Sequence, residues 1–375
     1  MQPRAVQRLV TLLTGVALVA CGSLFPSRRG PAAEELDDWT RRFIVVFSRE
    51  PDSTRTQWKN LIGEYGPDTV QRWFVMERDG RLWVWDHTRN FAPLSQVSDS
   101  VFSAPVMPVL VSGEVRFTLD SSGWATAVRV GETVMQRRAV EPPPGTPQLR
   151  VTPLRPVDEL RREALAATPP AETGRFVPTE LVDLATLDTT IRFDIRYATE
   201  NNFLGTRIYD TARAFLQRPA AEALARANHN LRRVGYALLV HDAYRPWWVT
   251  RLFWDAMPED RRWMVADPQQ GSRHNRGIAV DLTLYDRETK RVAEMPSTYD
   301  ESTLRAHSTY PGGTSLQRHY RLLLRSAMEN EGFAVHPEEW WHFDYMDRRR
   351  YAIGNVSFDQ IARSAPASTG ATPPE

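Results

Sequence analysis

The sequence has little cysteine, lysine or net charge; the shortage of cysteine excludes one kind of covalent link, and the shortage of net charge excludes one kind of partner. Its 375 residues include one cysteine, Cys21, so an intramolecular disulfide is excluded. Lysine occurs only at Lys59 and Lys290, and the formal net charge is +1. A near-neutral chain lacks the basic surplus of nucleic-acid-binding domains, so we expect no nucleic-acid partner. What is present, 42% hydrophobic and 25% charged residues, is typical of a globular protein of about two domains.

The first residues have the pattern of a leader. An arginine-containing start precedes an apolar stretch at residues 9–20, which is too short to span a bilayer. This stretch ends in Leu-Val-Ala-Cys at residues 18–21, which resembles the lipobox of bacterial lipoprotein signal peptides. The resemblance implies cleavage after residue 20, acylation of Cys21 and a membrane-anchored protein of the periplasm or cell surface. The alternative is an ordinary secretory signal with a chance cysteine.

The residues that follow are predicted to be a tether and then a β domain. Residues 21–60 are predicted to be a tether and a mixed segment, and residues 61–140 contain short β segments. Asp79-Gly80 predicts a hairpin between two of them. Residues 114–119 alternate apolar and polar side chains, as a half-buried strand does. The pattern therefore predicts a mainly β accessory domain, used as a spacer or a docking module.

The second half of the chain is predicted to be a separate domain. Residues 141–180 predict a Pro-rich linker with a short helix, and residues 361–375 predict a disordered tail. The domain between them, residues 181–360, mixes helical and strand patterns. A helix is predicted from Pro219 to its stop at Gly235, and two more are predicted after Pro246 and over residues 315–330.

Two motifs in this last domain contain candidate metal ligands. The first reads Ser-Arg-His-Asn-Arg-Gly-Ile-Ala-Val-Asp over residues 272–281, and the second is Glu-Trp-Trp-His over residues 339–342. Together, His274, Asp281 and His342 supply two imidazoles and one carboxylate. Catalytic zinc is held by three such ligands with a fourth position left for water, although other divalent first-row ions also accept this set.

Each of these residues also has an ordinary structural interpretation. His274 lies near a turn, where most histidines are capping or surface residues. Asp281 lies on a strand built for burial and must be paired, and Arg245 is a candidate partner. Glu339 stands beside Glu338 and fits a solvated charge. The residues alone leave these alternatives open.

The arrangement S-x-H-x-x-G-x-A-x-D followed by E-x-x-H resembles the D-alanyl-D-alanine dipeptidases of the VanX type, in peptidase family M15. The resemblance extends to the segments at residues 194–205, 241–246 and 295–300 and covers roughly residues 181–358. It implies an α+β fold in which helices surround a small antiparallel sheet. The mainly β accessory domain lies outside the resemblance.

The same resemblance implies a set of functional residues. The ligands of one zinc ion per chain would be His274, Asp281 and His342. Glu339 would act as general acid–base, and Arg245 would stabilise the oxygen of the tetrahedral intermediate. Three positions match those that contact the dipeptide in the family: Tyr197, Ser272 and Asp300. Asp300 would pair with the free ammonium of the substrate, because an anion in a closed pocket favours a cation and rejects an acylated amine.

The function implied by the resemblance is hydrolysis of free D-Ala-D-Ala to two D-alanines outside the cytoplasm, as part of peptidoglycan metabolism. Two alternatives stay open. One is a D,D-carboxypeptidase or endopeptidase that acts on longer peptidoglycan stems. The other belongs to a different class, a non-catalytic lipoprotein that binds the cell wall. The sequence predicts a small peptide and a membrane as partners and identifies no protein partner.

Overall fold

The computed structural model describes residues 36–67, 72–86, 91–105, 113–138, 150–345 and 351–364. Several predictions fall outside these residues: the leader, the acylation of Cys21, the Pro-rich stretch at residues 141–147 and the tail beyond residue 364. None of the described helices combines the length and the hydrophobicity needed to cross a bilayer.

The N-terminal part of the chain is mainly β, as its alternating pattern predicts. Eight strands follow one another, each antiparallel to the next: β1 (Gly63–Tyr65), β2 (Trp73–Arg78), β3 (Arg81–Asp86), β4 (Phe91–Gln96), β5 (Val101–Ser103), β6 (Glu114–Leu119), β7 (Ala125–Val130) and β8 (Thr133–Gln136). The predicted hairpin joins β2 to β3. Asp79 and Gly80 form its turn with φ of 52° and 72°, the left-handed conformation that such tight turns require.

The meander of β1 to β8 closes on itself. A bridge pairs Tyr65 with Arg137, and the amide of Gly66 donates to the carbonyl of Gln136 at 2.8 Å. These bonds join the end of β8 to β1 and turn the sheet into a small barrel, called the β barrel below (residues 63–138). Alternate residues point inward, and Leu82 is among those with no exposed surface.

The second half of the chain is built on a five-stranded sheet, whose strands are β10 (Arg192–Phe193), β12 (Tyr236–Asp242), β13 (Ala279–Asp286), β14 (Phe333–His336) and β15 (Glu339–Tyr345). Their order across the sheet is β10-β12-β13-β15-β14. A separate antiparallel pair is formed by β9 (Leu181–Asp183) and β11 (Phe215–Gln217). The main sheet is antiparallel except for β10 and β12, which are parallel. A parallel pair needs a long crossover, and here a helix lies between the two strands.

Helices cover this sheet and follow the expected start and stop signals. They are α4 (Leu184–Leu187), α5 (Arg218–Arg232), α6 (Trp247–Ala256), α7 (Ser315–Asn330) and α8 (Phe358–Ser364). In α5, Pro219 stands in the first turn, and Gly235 follows the helix with φ of 93°. Thr314 and Gln317 form a reciprocal capping box at the start of α7. The mixed helix and sheet architecture predicted for this region is confirmed.

Three helices precede this region: α1 (Asp38–Phe47), α2 (Thr56–Lys59) and α3 (Val157–Ala166). Two of them belong to its hydrophobic core. Phe43 and Phe47 of α1 and Leu160 of α3 are at most 5% exposed and pack with the side chains of α5, α6 and α7. The segments predicted as a tether and as a linker therefore contribute helices to the larger core.

Candidate active site

Three side chains converge where β13 meets β15. Asp281 of β13 is paired in register with His342 of β15, and His274 lies on the short helical turn that precedes β13. Gly277 links this turn to the strand with φ of 68°, and a Cβ at this glycine would lie 2.6 Å from Leu181. The turn therefore requires glycine, and it directs His274 towards the other two residues.

The ligand atoms of this His274–Asp281–His342 cluster all lie within 4.8 Å of one another. His342 Nδ1 is 3.0 Å from Asp281 Oδ1 and 3.2 Å from His274 Nε2, and His274 Nε2 is 3.4 Å from Asp281 Oδ2. All three side chains are buried. The structure thus brings together the three candidate ligands named from the sequence.

Surrounding groups orient each member of the cluster. His274 Nδ1 is 2.6 Å from the carbonyl oxygen of Ala243, so this nitrogen donates outward and Nε2 faces the cluster. His342 Nε2 is 3.1 Å from Asp344 Oδ1, which leaves Nδ1 facing inward. The hydroxyl of Tyr299 donates to Asp281 Oδ2 at 3.0 Å. Outer partners of this kind hold ligand histidines and carboxylates in the orientation that a metal needs.

Charge in the cluster favours a cation. Burial by itself raises the pKa of Asp281, but His274 and His342 hold it well below its usual range, so the carboxylate stays ionised. Burial lowers the pKa of His342, yet the hydrogen bonds to Asp281 and Asp344 raise it to about 10. The cluster therefore takes up a proton when no metal is present. A divalent metal ion fits the same place, because two nitrogens and one carboxylate form a donor set that such ions accept. The metal would displace the proton, since the atoms that ligate a metal must be deprotonated.

Arg245 stands next to the cluster as a fixed positive charge. Its Nε and Nη2 donate to Asp242 Oδ2 at 2.9 and 2.8 Å, whereas Nη2 is 3.9 Å from Asp281 Oδ2. The guanidinium carbon lies 5.4 Å from the ring centroid of Tyr197 and 5.2 Å from that of Phe253. Asp281 is therefore free to face the histidines, because Asp242 is the main partner of Arg245.

Glu339 lies at the start of β15, at the mouth of the site. Its Oε2 is 3.8 Å from His342 Nδ1, and its side chain is 38% exposed. A bulge in the pairing of β14 with β15 follows Val335, so that His336 lies opposite Glu339. A partly exposed carboxylate beside the cluster can exchange protons with a bound ligand and with solvent.

The residues proposed to contact a dipeptide lie in the same cavity. The hydroxyl of Tyr197 donates to Asp300 Oδ2 at 3.0 Å, and Ser272 lies two residues before His274. Burial, helped by the negative charges of Asp281 and Glu339, raises the pKa of Asp300 well above its usual range. A cation bound beside this carboxyl would favour its ionised form, so the site suits a positively charged ligand.

The cavity around these groups has a volume of about 830 Å³. Its lining includes the cluster, Arg245 and Asp300, and also the apolar residues Met264, Val265 and Trp263. Trp263 is 69% exposed, so the cavity combines charged groups with apolar surface that reaches solvent.

Sequence reasoning missed three residues of this site. Asp344 had a detectable signal, because residues two apart on a strand share a face and Asp344 follows His342 at that spacing. Tyr299 comes from an irregular segment, where no periodicity predicts direction. Asp242 was seen only as part of the segment that contains Arg245.

Comparison with known proteins agrees with this geometry. Residues 178–361 match the D-ala-D-ala dipeptidase family, peptidase family M15. The chain is 36% identical to the D-alanyl-D-alanine dipeptidase of Escherichia coli over 175 residues, which are 47% of this chain and 89% of the relative. It is 35% identical to that of Enterococcus faecium, covering 42% and 87% of the two chains, and 33% identical to that of Streptomyces coelicolor, covering 41% and 85%. The β barrel lies outside the family match at residues 178–361. The dipeptidase resemblance is confirmed, and the chain belongs to this family of metallopeptidases.

Proposed function

We propose that this protein hydrolyses free D-Ala-D-Ala to two molecules of D-alanine with the help of one zinc ion. The observation that supports this most directly is the His274–Asp281–His342 cluster, which opens onto a cavity containing Glu339 and Asp300. His274 Nε2, the Asp281 carboxylate and His342 Nδ1 would hold the ion. When bound, zinc supplies a Lewis acid and lowers the pKa of water to about 7.

Glu339 is the proton carrier of the proposed reaction. Its carboxylate accepts a proton from the attacking water, whose oxygen bonds to the carbon of the scissile peptide. The same proton then passes to the nitrogen of the leaving D-alanine as the C–N bond breaks. Glu339 is thereby returned to its carboxylate form at the end of each turnover.

Arg245 stabilises the negative charge that develops on the carbonyl oxygen of the peptide. Its hydrogen bonds to Asp242 and its position over the rings of Tyr197 and Phe253 hold the guanidinium in place before substrate arrives. A donor that is already oriented costs no rearrangement during the reaction, which is why it stabilises the transition state more than the ground state.

Asp300 is proposed to select the substrate by its free ammonium group. The positive charge of an ammonium ion beside Asp300 would compensate the negative charge of this buried carboxylate and of its neighbours Asp281 and Glu339. An acylated amine is neutral and cannot do so. A second candidate function, cleavage of longer peptidoglycan stems, is favoured by the cavity volume of about 830 Å³ and by the exposed Trp263 in its lining. The dipeptidase and the stem peptidase differ in whether the site around Asp300 allows a substrate with an acylated amine to bind.

A substrate series distinguishes the two candidates. We expect release of D-alanine from D-Ala-D-Ala and almost none from N-acetyl-D-Ala-D-Ala or a pentapeptide stem. Asp300→Asn should raise KM for the dipeptide about ten- to a hundredfold, since a hydrogen bond to a charged group contributes about 1.5–3 kcal/mol. Asp210→Asn, at a side chain that is 89% exposed, is the control. Efficient cleavage of the acylated substrates would instead support the stem peptidase.

Asp344 is expected to control metal affinity without touching the metal. Asp344→Asn removes the carboxylate that accepts from His342 Nε2 and that Arg273 holds at 2.8 Å. Loss of such an outer partner weakens metal binding about 10–100-fold. Competition with a zinc-sensitive dye measures this affinity. Asp286→Asn, at the far end of β13, should leave it unchanged, and equal affinities in both variants would contradict the orienting role of Asp344.

We also propose that the enzyme acts outside the cytoplasm in peptidoglycan metabolism, anchored through a lipid on Cys21. The proposal is supported by the leader-like pattern of residues 1–21. The mass of the mature chain and its distribution between membrane and soluble fractions measure the acylation. An unacylated soluble chain would contradict it.

A further inference from the structure

The β barrel contains one acidic side chain that connects it to the region carrying the active site. Glu77 of β2 is 1% exposed. Its Oε2 accepts hydrogen bonds from the amide of Ser315 at 2.7 Å and from Thr54 Oγ1 at 3.0 Å. Its Oε1 accepts from the amide of Gly80 at 2.8 Å and from Ser315 Oγ at 3.2 Å. Since Ser315 is the first residue of α7, a carboxylate of the barrel satisfies an amide at the start of a helix in the larger core.

Hydrogen bonds to main-chain carbonyls strengthen the same junction. The amide of Glu77 donates to the carbonyl of Gly313 at 3.1 Å, and Arg318 Nη2 donates to the carbonyl of Glu77 at 2.6 Å. Arg318 Nη1 also donates to the carbonyls of Gly312 and Gly313 at 3.1 and 3.0 Å. The residues just before α7 are thus held from the barrel side by Glu77 and from the helix side by Arg318.

Apolar contacts surround these hydrogen bonds. Phe74 and Met76 of β2 form a buried cluster with Tyr310, against which Trp83 and Trp85 of β3 also pack. The rings of Phe74 and Tyr310 are 6.4 Å apart. Tyr310 precedes α7 by only a few residues, so the outer face of the barrel hairpin covers the segment that leads into this helix.

That segment also forms one wall of the active-site cavity. Residues 300–304 and His307 line the cavity, and Asp300 is the proposed ammonium partner. Within residues 300–314 the only helical structure is a three-residue turn, Leu304–Ala306. The rest of the stretch consists of turns and irregular loop, and contacts from outside also hold it: Arg321 donates to the carbonyls of His307 and Tyr310, and Ser308 Oγ donates to that of Pro337. Its conformation therefore depends in part on what it contacts. We call residues 300–314 the substrate wall.

We propose that the β barrel is a positioning element of the active site, and that Glu77 is the residue through which it fixes the substrate wall. This inference rests on the proposed function for the role of Asp300. A spacer needs no buried charge at its junction, because a buried carboxylate is unfavourable unless it is fully hydrogen-bonded. The barrel lies outside the match at residues 178–361, so this contact belongs to the present chain and not to the matched family region.

The expected consequence separates substrate binding from chemistry. The metal cluster and Glu339 lie on β13, β15 and the turn before β13, all held by the five-stranded sheet. Loosening the substrate wall should therefore leave zinc content and kcat close to wild type. If the wall is correctly placed in only about a tenth of the molecules, KM rises about tenfold, since the apparent affinity scales with the competent fraction.

Full-length, zinc-loaded chains carrying Glu77→Ala or Glu77→Gln test the proposal. For Glu77→Ala we expect a KM for D-Ala-D-Ala about tenfold above wild type. We also expect faster hydrogen exchange of the amides in residues 300–314. Glu77→Gln keeps an acceptor for Ser315 and should recover part of the loss. Glu64→Gln is the matched control, because Glu64 is also 1% exposed but forms its ion pairs with Arg72 and Arg138 of the barrel. It should lower the melting temperature and leave KM unchanged.

A variant on the other side of the junction covers the case in which Glu77→Ala unfolds the barrel. Arg318→Met removes the bonds to Gly312, Gly313 and Glu77 from α7 and should raise KM and hydrogen exchange in the same way. Unchanged KM and exchange in both variants would overturn the proposal, as would an equal rise of KM in Glu64→Gln or a parallel loss of kcat and zinc. If the wild type releases no D-alanine, the proposed function fails, and hydrogen exchange of the substrate wall still decides whether the barrel holds it.

Discussion

Glu339→Gln should bind one zinc ion per chain, melt near the wild-type temperature and lose at least about a hundredfold in kcat on D-Ala-D-Ala. The substitution keeps the size and shape of the side chain and removes its basic oxygen. It leaves His274, Asp281 and His342 unchanged. General acid–base help contributes about 10²–10⁴ in rate, and here the same carboxylate serves both the attack and the departure of the amine. Steady-state kinetics together with metal analysis of each preparation give the measurement.

Glu338→Gln is the matched control for this experiment. Glu338 is the preceding residue, lies in the same cavity wall and has no contact with the cluster among the hydrogen bonds and ion pairs of the described residues. The kcat of Glu338→Gln on D-Ala-D-Ala should stay close to that of the wild type. Near-normal turnover by zinc-loaded Glu339→Gln would remove Glu339 as the base and with it the proposed reaction path.

Arg245→Lys should keep the metal and lose about 10²–10³ in kcat/KM, the usual effect of removing one oriented donor to a developing oxyanion. A lysine keeps the charge that the buried carboxylate of Asp242 requires. Its single ammonium group can pair with Asp242 or reach into the cavity, whereas the planar guanidinium does both at once. The loss should fall mainly on kcat, because the interaction strengthens in the transition state.

Arg251→Lys provides the comparison for Arg245→Lys. Arg251 lies in the middle of α6 and pairs with Asp255 at 2.5 Å, and it is not among the residues that line the cavity. We expect activity and zinc content close to wild type. If Arg245→Lys were as active as Arg251→Lys, Arg245 would have only the structural role of neutralising Asp242.

Local signals explain why much of the catalytic region was predictable. The glycine at 277 and the alternation after it place Asp281 on a strand, and the spacing of Glu339 and His342 matches a known family motif. Pro219 and Gly235 mark helix ends by mechanisms that act within a few residues. The Asp79-Gly80 hairpin belongs to the same class of short-range signal.

Long-range contacts explain what the sequence could not show. The closure of the barrel depends on the pairing of Tyr65 with Arg137, which are far apart in the chain. The apolar face of α3 predicts that the helix packs on something, but its pattern does not say that the partner is α6. In the same way, the sequence around Glu77 is that of an ordinary strand before a turn and does not set this residue apart. Its role at the start of α7 exists only once the two regions are folded against each other.

In the proposed function, the His274–Asp281–His342 cluster holds the metal with which the chain cleaves D-Ala-D-Ala. The most direct measurement is D-alanine release by the full chain after metal removal, followed by titration with zinc. We expect activity to disappear with the metal and to return in proportion to zinc until one ion per chain is bound. We also expect His342→Ala, which lacks one ligand, to recover neither zinc nor activity. Full activity in the metal-free chain, or in metal-free His342→Ala, would contradict it.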